Sequence, residues 1–467
     1  MMKKLMSLLL SSALLLTLLP ACGSTGTTPP DTSEPTEQEE GVTKTARQYP
    51  DREEITMWFW GPAPEYQEHI QDVLCGWYNE SQDQYELTIE FRNTVDVDMP
   101  RALAAHNAPD IVYASGPSYT AVYANEGLVL DLNDYAEQYG WKDRVLGVMY
   151  DACTLDGHLY SVPGGMVIGG ILYNKATFEE KGWEPPTTID EMVAIMDEAK
   201  AEGMYPLAAG NKGWKPCNDH FSSMIINHLG SPRLFYDALT GNTSFNTPEM
   251  VQAVQTSADW FQAGYLAGND YVNLDSQEAI QTLKDGRSAM AMVPTLYIQF
   301  AAQSFLGEEA DQVGFVPMPT VGMDEDVYDV SMNCNFAINA DTKYADECAK
   351  ILDYMLTAEF GGKMTEGWPG YWAIPVKDMA NYDASSMTGL SKLTMDILQQ
   401  AIDSIDAGYF CLHPSSFFPS ATVTAFEDID TVWQGVMTAE QFCQTVDAEL
   451  QNDIANGLVC PLTEPAY

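Results

Sequence analysis

Strand-like and helix-like segments alternate through the first folded part of the chain, and this alternation constrains the fold more than any other feature. The run from Ile55 to Trp60 is rich in β-branched and aromatic residues and stops at Gly61-Pro62. Apolar residues at helical spacing follow as far as Trp77, and two further strand patterns come next, the second at 110–114. Such alternation is typical of α/β folds, in which helices cover a sheet.

A second group of strand patterns lies far along the chain, at 289–293 and 313–316. Between the two groups, helices are predicted after Thr188 and Thr247, and a last helix after Thr438, because each residue can cap a following apolar pattern. Two strand groups so far apart indicate two α/β lobes. Ligands of such folds gather at the carboxyl ends of strands, so a cleft between the lobes is the expected site.

The N-terminus has the pattern of an export signal. Lys3 and Lys4 precede an apolar stretch that ends at Leu19, and Pro20-Ala21-Cys22 follow. The last four of these residues resemble the bacterial lipobox, which predicts a signal peptide over 1–21 and a lipid on Cys22. The alternative is an ordinary secreted protein with a chance cysteine. Residues 22–52 are poor in large apolar residues and are predicted to form a disordered tether.

The charge of the chain is strongly one-sided. Its 467 residues include 67 Asp plus Glu against 22 Lys plus Arg, a formal charge of −45. A surface this negative repels phosphate backbones, so nucleic-acid binding is not expected, whereas neutral and cationic ligands remain open.

Cysteine and histidine spacing gives no support for a metal centre. Nine cysteines are present without a CxxC pair, and for the eight that follow Cys22 both disulfides and free buried thiols stay open. The six histidines lack ligand spacing and are each expected on the surface or in a turn. The sequence therefore predicts no metal site and no cofactor.

Six segments occur in a recognisable order over the chain from about 54 to 457. They are Ala108–Tyr113 with Glu126–Leu132, Asp156–Pro163, Ile171–Lys175, Trp183–Thr188, Leu283–Met290 and Val313–Pro319. In this order and behind a lipobox, they resemble the family 1 extracellular solute-binding proteins. These are lipid-anchored receptors of ABC importers that mostly take up sugars and oligosaccharides.

The resemblance implies a periplasmic-binding-protein-like α/β fold of two lobes, each a mainly parallel sheet flanked by helices. It places lobe 1 at 53–163 plus 316–365 and lobe 2 at 164–315 plus 366–467, with chain crossings near 163–170 and 314–319. The implied function is carbohydrate capture by lobe closure and delivery to ABC permease subunits, without catalysis. The expected form is a monomer, lipid-anchored to the outer face of the bacterial cytoplasmic membrane.

A sugar site needs aromatic rings for stacking and polar side chains for hydroxyl groups. Trp60 ends the first strand, and Trp214 lies in a Gly-Trp-Lys-Pro turn. Many sugar binders have a tryptophan after the Ala-Met strand, where this chain has Tyr297. Ligand contact is expected from Trp60, Asp110, Tyr113, Ser115, Tyr119, Trp214, Tyr297, Asn333, Asn335, Trp368, Tyr371 and Trp372. Structural capping is an open alternative for Asp110, and only one or two of the last three should face the cleft.

Other functions stay open at this point. The same fold could bind a polyamine, a peptide or a metal chelate, or serve as a ligand sensor, because function lies in the site. An exported glycoside hydrolase is a minor alternative, since 67 carboxylates make chance pairs common but no GxSxG or HExxH signature occurs.

Overall fold

A computed structural model describes residues 41–268, 270–323 and 325–467. The predicted signal peptide, the lipidation residue Cys22 and the tether up to residue 40 lie outside the described residues. The strands are β1 Val42–Lys44, β2 Glu53–Trp60, β3 Tyr85–Arg92, β4 Ile111–Ala114, β5 Thr154–Leu155, β6 His158–Leu159, β7 Val162–Asn174, β8 Tyr205–Leu207, β9 Ser288–Pro294, β10 Val313–Pro317, β11 Tyr328–Ile338 and β12 Phe410–Leu412.

Helices surround this sheet, and the three predicted from their capping residues are present. Thr438 and Gln441 form a complete capping box before the last of them. The α-helices are α1 Pro64–Ile70, α2 Trp77–Ser81, α3 Val95–Ala104, α4 Pro117–Asn125, α5 Asn133–Tyr139, α6 Trp141–Arg144, α7 Gly147–Ala152, α8 Lys175–Lys181, α9 Ile189–Ala201, α10 Ser222–Met224, α11 Pro232–Leu239, α12 Pro248–Gln262, α13 Ser276–Lys284, α14 Ile298–Ser304, α15 Ala345–Met355, α16 Ala358–Gly367, α17 Gly389–Asp406, α18 Pro414–Phe417, α19 Ser420–Phe426, α20 Asp430–Trp433 and α21 Ala439–Ala455.

The main sheet has the strand order β1-β3-β2-β4-β11-β7-β9-β8, with β10 added to β7 and β12 to β11. The α/β prediction is confirmed. The sheet is mixed, however, where mainly parallel sheets were predicted. β2 runs parallel to β3 and β4, whereas β7 and β11 run antiparallel to each other and to their outer neighbours β9 and β4.

Two long strands join the halves of this sheet. We call β1 to β4 the first half, and β8, β9, β10 and β12 the second half. β7 begins beside the part of β11 that pairs with β4, and it ends beside β9 and β10. β11 begins beside β12, passes a register shift at Met332–Asn335 and ends beside β4. Each strand therefore passes from one half to the other.

The second crossing differs from its predicted position. It lies at the register shift of β11 and not near 314–319, because the Val313–Pro319 segment first forms β10, which still pairs with β7 in the second half. Residues 316–331, predicted in lobe 1, consequently pair on the side of the second half or lead into it.

Glycines in β7 allow close approach of the two crossing strands. A Cβ on Gly165 would lie 2.5 Å from Asn333 Oδ1 and 2.8 Å from the carbonyl oxygen of Tyr371. Gly164 and Gly165 both lie inside β7, all of whose residues are buried. The absence of a side chain, rather than a special backbone angle, is what the position requires.

The folded body starts earlier than predicted. Residues 41–52 were expected in the tether, but β1 pairs antiparallel with β3. Behind it, the Glu86 carboxylate accepts hydrogen bonds from Arg47 Nε at 2.9 Å and from the backbone amide of Tyr49 at 3.0 Å. Edge pairing needs only backbone groups, so the polar composition of this segment did not reveal it.

The sequence leaves both disulfides and free thiols open for the cysteines. All eight cysteines of the described part are free and buried, which favours the thiol alternative.

Among the helices of the described ranges, none combines the length and apolar character needed to cross a membrane.

Candidate ligand-binding site

Trp60 ends β2 at one edge of the first half. Strand alternation buries Met57 and Phe59 completely, while Trp58 and Trp60 are half-buried. The aromatic residues of this strand therefore lie on both of its faces. Trp60 Nε1 donates a hydrogen bond to Tyr371 Oη over 2.6 Å, which fixes the ring and leaves part of its surface accessible.

The aromatic turn at 368–372 lies in the core. Trp368 stacks on Tyr66 with ring centroids 4.7 Å apart, and its Nε1 donates to Gln299 Oε1 at 3.0 Å. Trp368, Tyr371 and Trp372 are all buried. One or two of these rings were expected to face the cleft, but the core covers all three. Proximity in sequence to a crossing does not reveal which rings the core covers.

Several polar side chains form hydrogen bonds with one another near the end of β4. Ser115 Oγ donates to Asp96 Oδ1 at 2.7 Å and lies 3.0 Å from Tyr113 Oη. Tyr113 is buried, whereas Ser115 and Tyr119 are half-buried. Burial raises the pKa of Asp96. Sequence reasoning missed Asp96, whose only local signal is an acidic residue in the first turn of α3.

The two asparagines of β11 have different roles. Asn333 is half-buried and donates Nδ2 to the carbonyl oxygen of Tyr371 at 2.7 Å, while its Oδ1 has no hydrogen-bond partner among the described residues. Asn335 is fully buried, and its amide bonds the hydroxyls of Thr120 and Ser161 and two carbonyl oxygens at the end of β4. These four partners occupy the amide of Asn335. Its role is therefore structural, where contact with the ligand was expected.

Asp110 directly precedes β4 and forms hydrogen bonds with two other segments of the chain. One carboxylate oxygen accepts from the backbone amide and hydroxyl of Thr56 at 2.8 and 2.9 Å, and the other accepts from Thr342 Oγ1 at 2.6 Å. The structural alternative for this residue therefore describes it better than ligand contact.

Trp214 offers an accessible ring on the second half. Half of its surface is exposed, at 50%, and its ring meets His220 edge to face at 5.2 Å. Tyr297, the expected substitute for the missing tryptophan, is only 4% exposed and contacts the same histidine at 5.9 Å. Its hydroxyl accepts from Ser276 Oγ at 3.2 Å. Tyr297 thus packs in the interior and offers no stacking surface.

Burial and nearby charges shift the pKa values of Glu427 and Tyr119. Burial and the charge of Asp219 raise the pKa of Glu427 to about 7, and Lys215 opposes this shift. Burial, followed by the charges of Asp96 and Glu427, raises the pKa of Tyr119. Tyr119 belongs to α4, and Glu427 follows α19. We define the candidate cleft by the residues Trp60, Asp96, Ser115, Tyr119, Asn333, Trp214, Asp219 and Glu427.

Three histidines are buried, contrary to the prediction of surface or turn positions. They are His220, His228 and His413. His413 Nδ1 lies 2.6 Å from Asp329 Oδ1, and His413 Nε2 lies 3.4 Å from His220 Nδ1. These residues are far apart in the sequence and converge only in the fold, so spacing rules did not detect the cluster.

The geometry of the sheet and its polar groups defines a class of protein. Two sheet halves, joined by two long strands, carry the accessible rings of Trp60 and Trp214 and the hydroxyl, amide and carboxylate groups described above. Such an arrangement suits reversible binding of a small polar molecule. The fold and the candidate cleft are those of a two-part α/β solute-binding protein.

Comparison with known proteins agrees with this class. Residues 78–390 match the family described as bacterial extracellular solute-binding protein, and the chain belongs to this family. The resemblance to extracellular solute-binding proteins seen in the sequence is therefore confirmed.

Individual relatives are distant. A probable sugar-binding periplasmic protein of Mesorhizobium japonicum is 30% identical over 138 residues, 29% of this chain and 32% of the relative. The chain thus spans about a third of that relative's length. The multiple sugar-binding protein of Streptococcus mutans is 25% identical over 56% of this chain and 58% of its own. A structure from a study of xylan utilization by Caldanaerobius polysaccharolyticus superimposes with a TM-score of 0.71 at 20% identity, covering 85% and 99% of the two chains.

Proposed function

We propose that the protein is the extracytoplasmic receptor of an ABC importer, which binds a carbohydrate between its two halves and delivers it to a membrane permease. The observation that carries this proposal is the pair of accessible rings, Trp60 and Trp214, on elements of opposite halves. Flat sugar faces stack on such rings, and sugar hydroxyls bond to groups such as Asn333 and Ser115. The names of the distant relatives support the same ligand class.

Capture would occur by closure of two rigid lobes. The strand pairing supports a first lobe from 41 to about 163 that resumes near 333, and a second that spans 164–332 and includes β12. The turn at 368–376 packs on the first lobe, where Trp368 stacks on Tyr66 and Val376 bridges to Val145. β7 and β11 are then the hinge strands. Trp214 and Glu427 approach Trp60 and Tyr119 when the lobes close.

A ligand screen tests the carbohydrate assignment. The chain from residue 41 onward is heated with monosaccharides, oligosaccharides, polyamines and peptides in separate wells. A ligand at 100 times its dissociation constant adds about 2.7 kcal/mol to the free energy of unfolding, which is readily visible as a higher Tm. A shift with a glycan and with no polyamine or peptide supports the proposal. A shift with polyamines alone contradicts it.

A cationic solute is the second candidate, because one observation favours it. Asp96, Asp219 and Glu427 bring three carboxylates to the candidate cleft, and Lys215 is drawn towards Asp428, with Nζ 3.8 Å from Oδ1. An amine would offset this negative charge. The polyamine arm of the screen distinguishes the two candidates.

The protein is proposed to bind its ligand without changing it. The bound ligand should therefore be recovered unchanged, and steady product formation over hours would favour the hydrolase alternative.

Cys22 is proposed to carry a lipid on the outer face of the cytoplasmic membrane. Radioactive palmitate should label the wild-type chain in bacteria, and C22A should remain unlabelled.

A further inference from the structure

The candidate cleft borders a cluster of metal-type ligands in the second half. Asp219 and His220 belong to the helical segment 217–221, and His413 follows β12 directly. One ligand atom from each side chain lies within 4.8 Å of the other two. His220 Nδ1 lies 3.4 Å from His413 Nε2 and 3.4 Å from Asp219 Oδ1.

These separations match tetrahedral coordination. Bonds of about 2.0–2.1 Å to Zn²⁺ place neighbouring ligand atoms about 3.3–3.4 Å apart. A direct hydrogen bond between the two imidazoles at 3.4 Å would be long. Asp219 Oδ1, which faces His220 Nδ1, is buried and has no hydrogen-bond partner within the described ranges. Buried polar atoms without partners are costly unless a ligand satisfies them.

A second carboxylate orients one of the histidines. His413 Nδ1 lies 2.6 Å from Asp329 Oδ1, and the other oxygen of Asp329 accepts from Asn227 Nδ2 at 3.0 Å. If His413 donates Nδ1–H to Asp329, the Nε2 lone pair points to His220 and Asp219. Carboxylate–histidine pairs of this kind hold the ring orientation and tautomer in zinc sites.

We propose that Asp219, His220 and His413 bind a divalent transition-metal ion, with Zn²⁺ the best fit to two imidazoles and one carboxylate. Three protein ligands leave one coordination position for water or for an oxygen of the bound solute. The ion would lie beside Trp214, whose ring contacts His220. It would also offset the negative charges of Asp219 and nearby Glu427.

A neighbouring cluster provides the internal comparison. His228, Asp329 and Cys411 also bring ligand atoms within 4.8 Å of one another. Asp329 is already bonded to His413 and Asn227. Because these partners already engage its carboxylate, this second cluster is the less suitable of the two.

The test measures metal binding directly. The chain, purified without a histidine tag and stripped with EDTA, is titrated with ZnCl₂ by calorimetry, and bound zinc is counted by mass spectrometry after dialysis. One Zn²⁺ per chain is expected. H220Q and D219N should each bind at least about a hundredfold more weakly, and D329N about 10- to 100-fold more weakly. H106Q serves as the matched control, because His106 forms an exposed pair with Asp341 at 2.7 Å.

Co²⁺ provides a second readout, which reports the coordination geometry of the bound ion. Its visible absorption intensifies on tetrahedral coordination, and this signal should appear in the wild type and in H106Q but not in H220Q. Unchanged Zn²⁺ affinity in both H220Q and D219N would overturn the proposal. Loss of binding in H228Q and C411S with retention in H220Q would also overturn it, since the ion would then occupy the neighbouring cluster.

Discussion

Replacing Trp214 by alanine is expected to weaken ligand binding with little effect on the fold. About half of this side chain is exposed, at 50%, and a tryptophan presents up to about 250 Å². A ligand could therefore cover roughly 125 Å² of the ring, which at about 25 cal/mol per Å² corresponds to about 3 kcal/mol at most. Because a sugar covers only part of that area, we expect a loss between tenfold and a hundredfold, about 1.4 to 2.8 kcal/mol.

Calorimetry with the glycan that gives the largest thermal shift measures this loss. W214F should retain part of the affinity, because it preserves a ring for stacking. L306A is the control for removing an exposed apolar side chain, since Leu306 is 63% exposed and lies outside the candidate cleft. The Tm of all three variants should stay near that of the wild type, with changes in unfolding free energy within about 0.5 kcal/mol. Affinity of W214A within twofold of the wild type would refute the placement of the ligand beside this ring.

Three further perturbations test other parts of the structure. Burial raises the pKa of Glu427 to about 7 in the folded chain, so ionisation of this carboxyl group lowers the stability of the folded state as the pH rises from the unfolded pKa through 7. E427Q should therefore match the wild type in free energy of unfolding at pH 4 and exceed it at pH 8 by about 1–2 kcal/mol after solvent screening, and equal free energies at pH 8 would contradict this. G165A should lower the free energy of unfolding by about 1–3 kcal/mol in urea titrations, because its Cβ would meet Asn333 and Tyr371. The control G147A, with its nearest neighbouring atom at 3.9 Å, should be neutral or slightly stabilising, and equal effects would contradict the close approach at the crossing. D110A should cost about 2–3 kcal/mol in the same titrations, because it removes the acceptor for three hydrogen bonds, yet glycan affinity should not change; a selective loss of affinity would restore Asp110 to the site.

The fold could be predicted from the sequence because its main signals are local. Alternating strand and helix patterns identified the α/β class, and the capping residues Thr247 and Thr438 marked helix starts that the structure contains. The second crossing was misplaced because the Val313–Pro319 segment is a good strand pattern, and a pattern cannot reveal that the strand pairs with β7 before the chain changes sides.

The candidate cleft was predicted only in part, since residue type does not reveal burial. Trp60 and Trp214 remain accessible, whereas Trp368 and Trp372, of the same type and in an equally suggestive turn, are completely buried. Asp96 and Glu427 were missed because each belongs to a helical segment without a motif. The buried histidine cluster depends on contacts between residues almost 200 positions apart, which a spacing rule based on neighbouring residues cannot detect.

Small-angle X-ray scattering with and without a saturating glycan measures whether two halves joined by β7 and β11 close on a small molecule. Closure should give a smaller radius of gyration in the presence of the glycan, with no change in molecular mass. Superimposable scattering profiles, recorded while calorimetry shows the binding site fully occupied, would contradict it.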